Sequence, residues 1–290
     1  MPTSMFYGEL VTSDRIIYTP SDFAKMNLLY LQETGSLKAQ KPHTSSRSNL
    51  NSYLFFMVTE GSGTLTYNDV QYDLQPGYCG FIDCHKQYAH QSSENLWTLK
   101  WAHFNGSNMK DIYKKYLERG GLPCFDSHHF GKYDAILTQL FQVASSSSYV
   151  KDMQIFEKLA SILTLLMEES WNPNRKANGG NLSHTKKQDL LTIKDYLDLH
   201  FTDKIALEDL AHIFYINKFY LTRVFKEQFG VTINNYIIQL RITNAKQLLR
   251  FSDQTIDEIA LECGYDDSNY FSRLFKKVEG LSPSEYRTRW

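Results

Sequence analysis

Two short stretches near the C-terminus carry side chains suited to chemistry on a large polar partner. In the first, Lys218, Phe219, Thr222, Arg223 and Lys226 lie opposite an apolar stripe of Leu221, Val224 and Phe225. In the second, Ser268, Asn269, Ser272, Arg273 and Lys276 lie opposite Phe271, Leu274 and Phe275. Spacings of three and four put each set on one side of a helix. The residue types fit duplex DNA. Arg can donate two hydrogen bonds to guanine, Asn can pair with adenine, Ser and Thr accept either or touch a thymine methyl, and Lys neutralises phosphate. The lesser alternative for Arg223 and Arg273 is an intramolecular ion pair, and Lys226, Lys276 and Lys277 read as phosphate contacts or plain solubility charges. One such face could be mere solvation; the same positions polar in both copies and apolar in both copies is harder to explain that way.

A second group sits in the first half. If Leu96 to Phe104 is a strand, its period of two gathers Trp97, Leu99, Trp101 and His103 on one face and Thr98, Lys100 and Ala102 on the other. Two indoles and an imidazole suit a sugar or other polar small molecule, with rings stacking on its apolar face and polar tips fixing its orientation. The plainer alternative is a barrel core whose Trp and His find internal hydrogen bonds.

The elements that must position the first group announce themselves by repetition. A-L-E-D-L-A (Ala206 to Ala211), Y-L-T-R-V-F-K (Tyr220 to Lys226) and Gly230 return as T-I-D-E-I-A (Thr255 to Ala260), Y-F-S-R-L-F-K (Tyr270 to Lys276) and Gly280, so the second turn is one residue longer than the first. Each copy reads as a short helix, a tight turn and a second helix with a polar, basic face: a helix-turn-helix, present twice. Thr255-x-x-Glu258 and Ser282-Pro283-Ser284-Glu285 are capping boxes opening helices. Between the copies, Asn234 to Arg250 predicts one connecting helix of ~25 Å, tied to both halves by Ile237, Leu240, Ala245 and Leu248. It would set the two basic helices at a separation comparable to a DNA turn, ~34 Å. Arg241 on it reads as a tether or phosphate contact.

The first half has a different grammar. Tyr53 to Val58 is an apolar run ended by Gly61-Ser62-Gly63; Thr64 to Tyr67 alternates, Asn68-Asp69 turns, and Val70 to Leu74 alternates before Pro76-Gly77. That predicts antiparallel strands with short hairpins from Leu28 to about Phe104, hence a sandwich or barrel. After Pro123 the period becomes helical. Tyr133, Ile136, Leu137, Leu140, Phe141 and Ala144 mark one helix, and Ile155, Leu159, Ile162, Leu163 and Leu166 a second from Lys151 to Trp171. Its apolar face is wide enough to cover the barrel and also meet a second copy of the chain, which predicts a homodimer. Asn172 to Thr185, with one Leu, two Gly and a Pro, reads as a linker. The division expected is residues 1–171 as barrel plus two helices, 172–185 as linker and 186–290 as an all-α domain, an α+β chain overall.

Composition adds little. The formal net charge is −1, and neither half is basic, with 15 Lys+Arg against 15 Asp+Glu from His184 onward, so the case for DNA rests on where the cations sit. No apolar run approaches the roughly 18 residues of a membrane span and the first residues lack a signal peptide's apolar core. The four cysteines, with no C-x-x-C pair, read as reduced thiols. A cytoplasmic protein without a membrane partner is the expectation.

Residues 190–290 resemble the C-terminal DNA-binding domain of AraC/XylS-type transcription regulators, down to the A-x-x-x-G-Y…Y-F-S-R-x-F-K-x-x-x-G-x-S-P-x-x-Y-R signature from Ala260 to Arg287. Residues 30–105, with G-x-G-x-L-x-Y and L-x-P-G-x segments, resemble the small cupin barrel that holds that family's effector. The resemblance implies an effector-controlled dimeric regulator, usually an activator of sugar or other catabolic genes, that works on RNA polymerase. It places base reading on Lys218, Phe219, Thr222 and Arg223, then Ser268, Asn269, Ser272 and Arg273, and it puts Arg47, Tyr88 and His90 at the barrel mouth beside Trp97, Trp101 and His103. One departure is Ala206 where a capping Thr is common, at a cost of ~1 kcal/mol. Metallo-cupins carry an H-x-H…E group before the first glycine turn, where this chain offers only His43 and Glu60; His85 and His90, an odd number apart, would face opposite ways on a strand. No metal, no cofactor and no catalytic residue is therefore expected. A cupin enzyme fused to a DNA-binding module and a regulator whose barrel only dimerises stand as the alternatives.

Overall fold

The computed structural model describes residues 4–170 and 185–289. They fall into two compact units, Met1–Asn172 and Pro173–Trp290. The expected linker lies outside the described residues except for its last position, Thr185, which opens a helix.

The first unit runs β1 (Ser4–Tyr7), β2 (Val11–Ile17), α1 (Asp22–Asn27), β3 (Leu29–Ala39), β4 (Thr44–Arg47), β5 (Tyr53–Glu60), β6 (Gly63–Tyr67), β7 (Val70–Leu74), β8 (Tyr78–Asp83), β9 (Tyr88–Ser92), β10 (Thr98–Gly106), α2 (Met109–Glu118), β11 (Cys124–Asp126), α3 (Phe130–Ser145) and α4 (Lys151–Ser170). Every strand pairing is antiparallel, in a seven-stranded sheet ordered β1-β2-β3-β10-β5-β8-β11 and a four-stranded sheet ordered β4-β9-β6-β7. The hairpin between β6 and β7 turns on Asn68 and Asp69, both at positive φ (50° and 61°), as the sequence pair predicts.

β5 explains why an uninterrupted apolar run can be a strand. Leu54, Phe56 and Val58 face inward with Leu65, Leu74, Ile82, Leu99 and Trp101, while Phe55 and Met57 face outward into a second core under the helices. With both faces covered, alternation disappears from the sequence. The outer core joins Phe81, Ala102 and Phe104 of the sheet to Tyr113 and Tyr116 of α2, Tyr133, Leu137 and Leu140 of α3, and Ile155, Leu159 and Ile162 of α4. Each fully buried side chain of this size contributes about 1.5–3 kcal/mol, so α2–α4 are held by the barrel itself. Most of the apolar face of α4 is spent there; Tyr149, Val150 and Met153 remain exposed at its start. The strand region extends beyond the expected Leu28 to Phe104, because β1 and β2 add two strands at one edge and β11 closes the other.

The second unit contains α5 (Thr185–His200), α6 (Leu207–Ile213), α7 (Lys218–Phe229), α8 (Ile233–Phe251), α9 (Ile256–Glu262), α10 (Ser268–Glu279) and α11 (Pro283–Arg289). The pairs α6–α7 and α9–α10 are the two helix-turn-helix copies, and α8 connects them. Leu221, Val224 and Phe225 of α7, and Phe271 and Phe275 of α10, are buried as their spacing predicts. On α8 the buried set is Ile233, Ile237, Ile242, Ala245 and Leu249, with Leu240 and Leu248 only partly covered. Tyr236 on α8 donates to Asp198 on α5, which also holds Lys194 at 2.6 Å.

Candidate functional site

The two basic helices begin the same way. Asn217 accepts from the amides of Phe219 and Tyr220 (3.0 and 3.2 Å), and Asp267 accepts from those of Asn269 and Tyr270 (2.8 and 3.0 Å). These caps satisfy donors that open the helices and so fix the phase of the side chains that follow. Both helices end on a left-handed glycine, Gly230 and Gly280. The first helices of the copies differ, because Thr255 and Glu258 form a reciprocal box on α9 whereas Ala206 makes no side-chain cap on α6.

On the outer side of α10, Asn269, Arg273 and Lys276 are exposed, with Ser268 and Ser272 partly so. Arg273 makes no hydrogen bond or ion pair among the described residues, so its guanidinium projects free from the middle of the helix. α7 is more engaged. Lys218 Nζ meets Glu208 Oε1 at 2.8 Å, and Thr222 Oγ1 donates to the Lys218 carbonyl (2.9 Å). Arg223 lies 3.6 Å from Glu227 and over the Tyr220 ring, and Lys226 is exposed. Phe219 stands 74% exposed beside the Lys218 ammonium, so it does not pack into the turn. All ten expected side chains therefore lie on two matching helix faces. Arg241 is a tether: its Nε donates to the Phe201 carbonyl (2.6 Å), and its two terminal nitrogens donate to Gly264 (2.7 Å) and Asp203 (2.8 Å), with the guanidinium over Tyr265.

Within the first unit the barrel opens into a cavity of about 440 Å³, in the range of small-molecule sites. Period two holds along β10: Trp97, Leu99, Trp101 and His103 all line it, joined by Phe56, His90 and Arg47. The Trp97 ring lies flat where Gly63 has no Cβ; one there would sit 2.5 Å from the indole. Trp101 is 8% exposed, with the Arg15 guanidinium 5.7 Å from its ring. Burial and the nearby Arg47 charge hold the imidazoles of His90 and His103 down to about 4, so both are neutral at physiological pH and offer one donor and one acceptor each. Ser52 Oγ lies 3.0 Å from His103 Nδ1 and orients that ring.

Tyr88 is a correction. It is 1% exposed, packs in the inner core with its hydroxyl against Cys84, and does not reach the cavity lining, although His90 two residues on does. Parity gives both the same face, but depth along the barrel separates them. Sequence reasoning also missed six polar wall residues, Glu9, Arg15, Glu33, His43, Thr44 and Ser45. Arg15 comes from β2 and Glu33 from β3, 3.5 Å apart, and His43 and Ser45 come from β4 and the loop before it. Only tertiary pairing marks Arg15 and Glu33, which meet because β2 lies antiparallel beside β3. His85 faces away, paired with Asp83 at 2.6 Å. Among the described residues no three His, Cys, Asp or Glu side chains converge to hold a metal ion.

A barrel with a ligand-sized internal cavity and a doubled helix-turn-helix define a DNA-binding transcription regulator with a ligand-binding domain. Comparison with known proteins agrees. The profile of the AraC-like ligand binding domain matches residues 33–171 and that of a helix-turn-helix domain matches residues 210–289. The chain is 29% identical to the MmsAB operon regulatory protein of Pseudomonas aeruginosa over 90% of its own length and 83% of that protein's. It is 27% identical to the HTH-type transcriptional activator RhaR of Pectobacterium atrosepticum, covering 81% of this chain and 83% of that one. Among solved structures, the C-terminal domain of AraT, a response regulator from Geobacillus stearothermophilus, is 32% identical, spanning 35% of this chain and 85% of that chain at a TM-score of 0.35. The chain belongs to the AraC family of transcription regulators.

Proposed function

We propose that the barrel binds a carbohydrate and that its occupancy controls how the two helix-turn-helix copies engage an operator. The cavity carries the effector half of this reading. Two indoles supply apolar faces for a sugar ring, and neutral His90 and His103, with Arg15, Arg47 and Glu33, supply the donors and acceptors that hydroxyl groups require. On DNA, Lys218, Phe219, Thr222 and Arg223 read one half-site and Ser268, Asn269, Ser272 and Arg273 the other, with Lys226 and Lys276 on phosphates. Effector binding shifts the population between two restraints on the DNA-binding unit, and occupancy or polymerase contact follows. Activation is the expected sign, as in the relative named a transcriptional activator. The chain acts in the cytoplasm as a homodimer, for which Tyr149 and Val150 just before α4 and Met153 in its first turn are the apolar contact. No described helix is long and apolar enough to cross a membrane. Because the relatives that match most of the chain are regulators, the reading is a binding protein without catalysis.

The test has two arms on the full chain. Thermal shift against a panel of sugars should show a stabilising ligand whose effect Trp101→Ala abolishes while basal DNA binding survives; an unchanged response removes Trp101 from the ligand. On duplexes selected from a random pool, Arg273→Ala should lose ~1–3 kcal/mol and relax specificity at one base pair, whereas Lys276→Ala should weaken all sequences alike. Equal loss from Arg273→Ala on every duplex variant would count against base reading. Sedimentation as a monomer at micromolar concentration would count against the dimer.

A further inference from the structure

The turns of the two helix-turn-helix copies are built alike but for one residue. Both close with the same pair of backbone bonds: Phe214 to Leu210 (3.1 Å) and Ile216 to Ala211 (2.9 Å) in the first, Cys263 to Ile259 (3.0 Å) and Tyr265 to Ala260 (2.9 Å) in the second. This closure requires a left-handed residue between them. The second copy uses Gly264 (φ +81°), and no side chain would fit there, since a Cβ would meet the Thr202 carbonyl oxygen at 2.2 Å. The first copy uses Tyr215 (φ +50°) at the equivalent position.

A tyrosine in the left-handed region costs about 1–2 kcal/mol relative to its relaxed backbone. Strain of this kind persists when something gains from it. The turn uses the backbone angle, which a glycine would supply without strain, but not the ring: Tyr215 is 97% exposed, and among the described residues its side chain makes no hydrogen bond, ring contact or ion pair. The phenol is thus held out in solvent two residues before the cap Asn217, at the end of α7 from which Phe219 also projects and on which Lys218 lies beside it. Its hydroxyl can donate and its ring offers apolar area at little rotamer cost, and Lys218, three residues on, adds a cation at the same helix end, which together match a sugar–phosphate strand.

We infer that Tyr215 is a DNA-backbone anchor of the first copy, its hydroxyl donating to a phosphate oxygen at the edge of the groove that α7 enters. The inference rests on α7 facing DNA. It gives the two copies different footings, one clamped by an aromatic turn and the other having a bare glycine turn packed on its own protein.

The experiment uses the full chain and two fluorescent duplexes, one selected by the wild-type protein from a random pool and one unrelated duplex of equal length. Tyr215→Gly should raise the melting temperature, because it relieves the left-handed strain, and yet weaken binding to both duplexes by about ten- to a hundredfold, the scale of one hydrogen bond to a charged acceptor. Tyr215→Phe should reproduce most of that loss without the thermal gain. Wild-type affinity in Tyr215→Gly overturns the inference, as does wild-type affinity in Tyr215→Phe. A fall in melting temperature for Tyr215→Gly also overturns it, because the ring would then be serving the fold. If the wild-type protein selects no duplex at all, what fails is the reading of α7 as a DNA-facing helix; selection by wild type with unchanged variants sinks only the anchor.

Discussion

Arg241→Ala should loosen the helical unit more than any change on its basic faces. The guanidinium spans three carbonyls from two places, Phe201 and Asp203 between α5 and α6 and Gly264 in the turn of the second copy. A hydrogen bond to a charged donor contributes about 1.5–3 kcal/mol when sheltered. The bond to Asp203 is exposed and counts for little, since solvent replaces it. The two part-buried bonds and the stack on Tyr265, about 0.5–1 kcal/mol, then leave a loss of ~3 kcal/mol after allowing for non-additivity. With two units in one chain a single melting curve is ambiguous, so the assay is native-state hydrogen exchange of the whole protein, read on peptides from α8, α9 and the intervening turn. A loss of ~3 kcal/mol accelerates exchange there by about a hundredfold if those segments open together. Arg241→Lys, which keeps the charge and one donor, should recover only part of it. Acceleration below about threefold would refute the reasoning, because the bridge would then be replaceable by water.

Two further outcomes follow from geometry already described. Gly264→Ala should destabilise the second copy by about 2–4 kcal/mol, from the left-handed backbone plus contact with the Thr202 carbonyl, whereas Gly230→Ala, with open space at its Cβ, should cost only the conformational part; paired thermal melts separate the two. His90 and His103 should make the barrel acid-sensitive. Their folded values near 4 lie below the ordinary 6.5, so the unfolded chain binds protons first. Their contribution is complete above about pH 6.5 and is lost as pH falls toward 4, on the order of 3 kcal/mol each. Urea titrations between pH 7 and 4 should show a shallower decline for His90→Gln; an unchanged slope would mean the imidazole is not desolvated.

Much of this was legible because a few residues speak unambiguously. Trp97, Leu99, Trp101 and His103 obey period two, and the duplicated Y-L-T-R-V-F-K and Y-F-S-R-L-F-K sequences place core and surface at once. What escaped lacks local signal. β2 reads Val-Thr-Ser-Asp-Arg-Ile-Ile, neither alternating nor continuous, and is held as a strand by its pairing with β1 and β3. The α2 helix, by contrast, spaces buried Met109, Tyr113 and Tyr116 at helical intervals and was available to a closer reading. Tyr88 shows the limit of parity, which assigns a face but not a depth.

β10 has consequences as a partition. Trp101 hangs on one side of it, and Ala102, with Phe104 beyond, leans on the other against α2–α4. A single layer of backbone, hydrogen-bonded to β3 and β5 along both edges, thus divides the ligand-sized cavity from the tightly packed core under the helices. Such packing has low compressibility. A guest that pushes the indole outward by a few tenths of an ångström cannot be absorbed by the wall, so the displacement is handed across to the helical side within one residue's thickness.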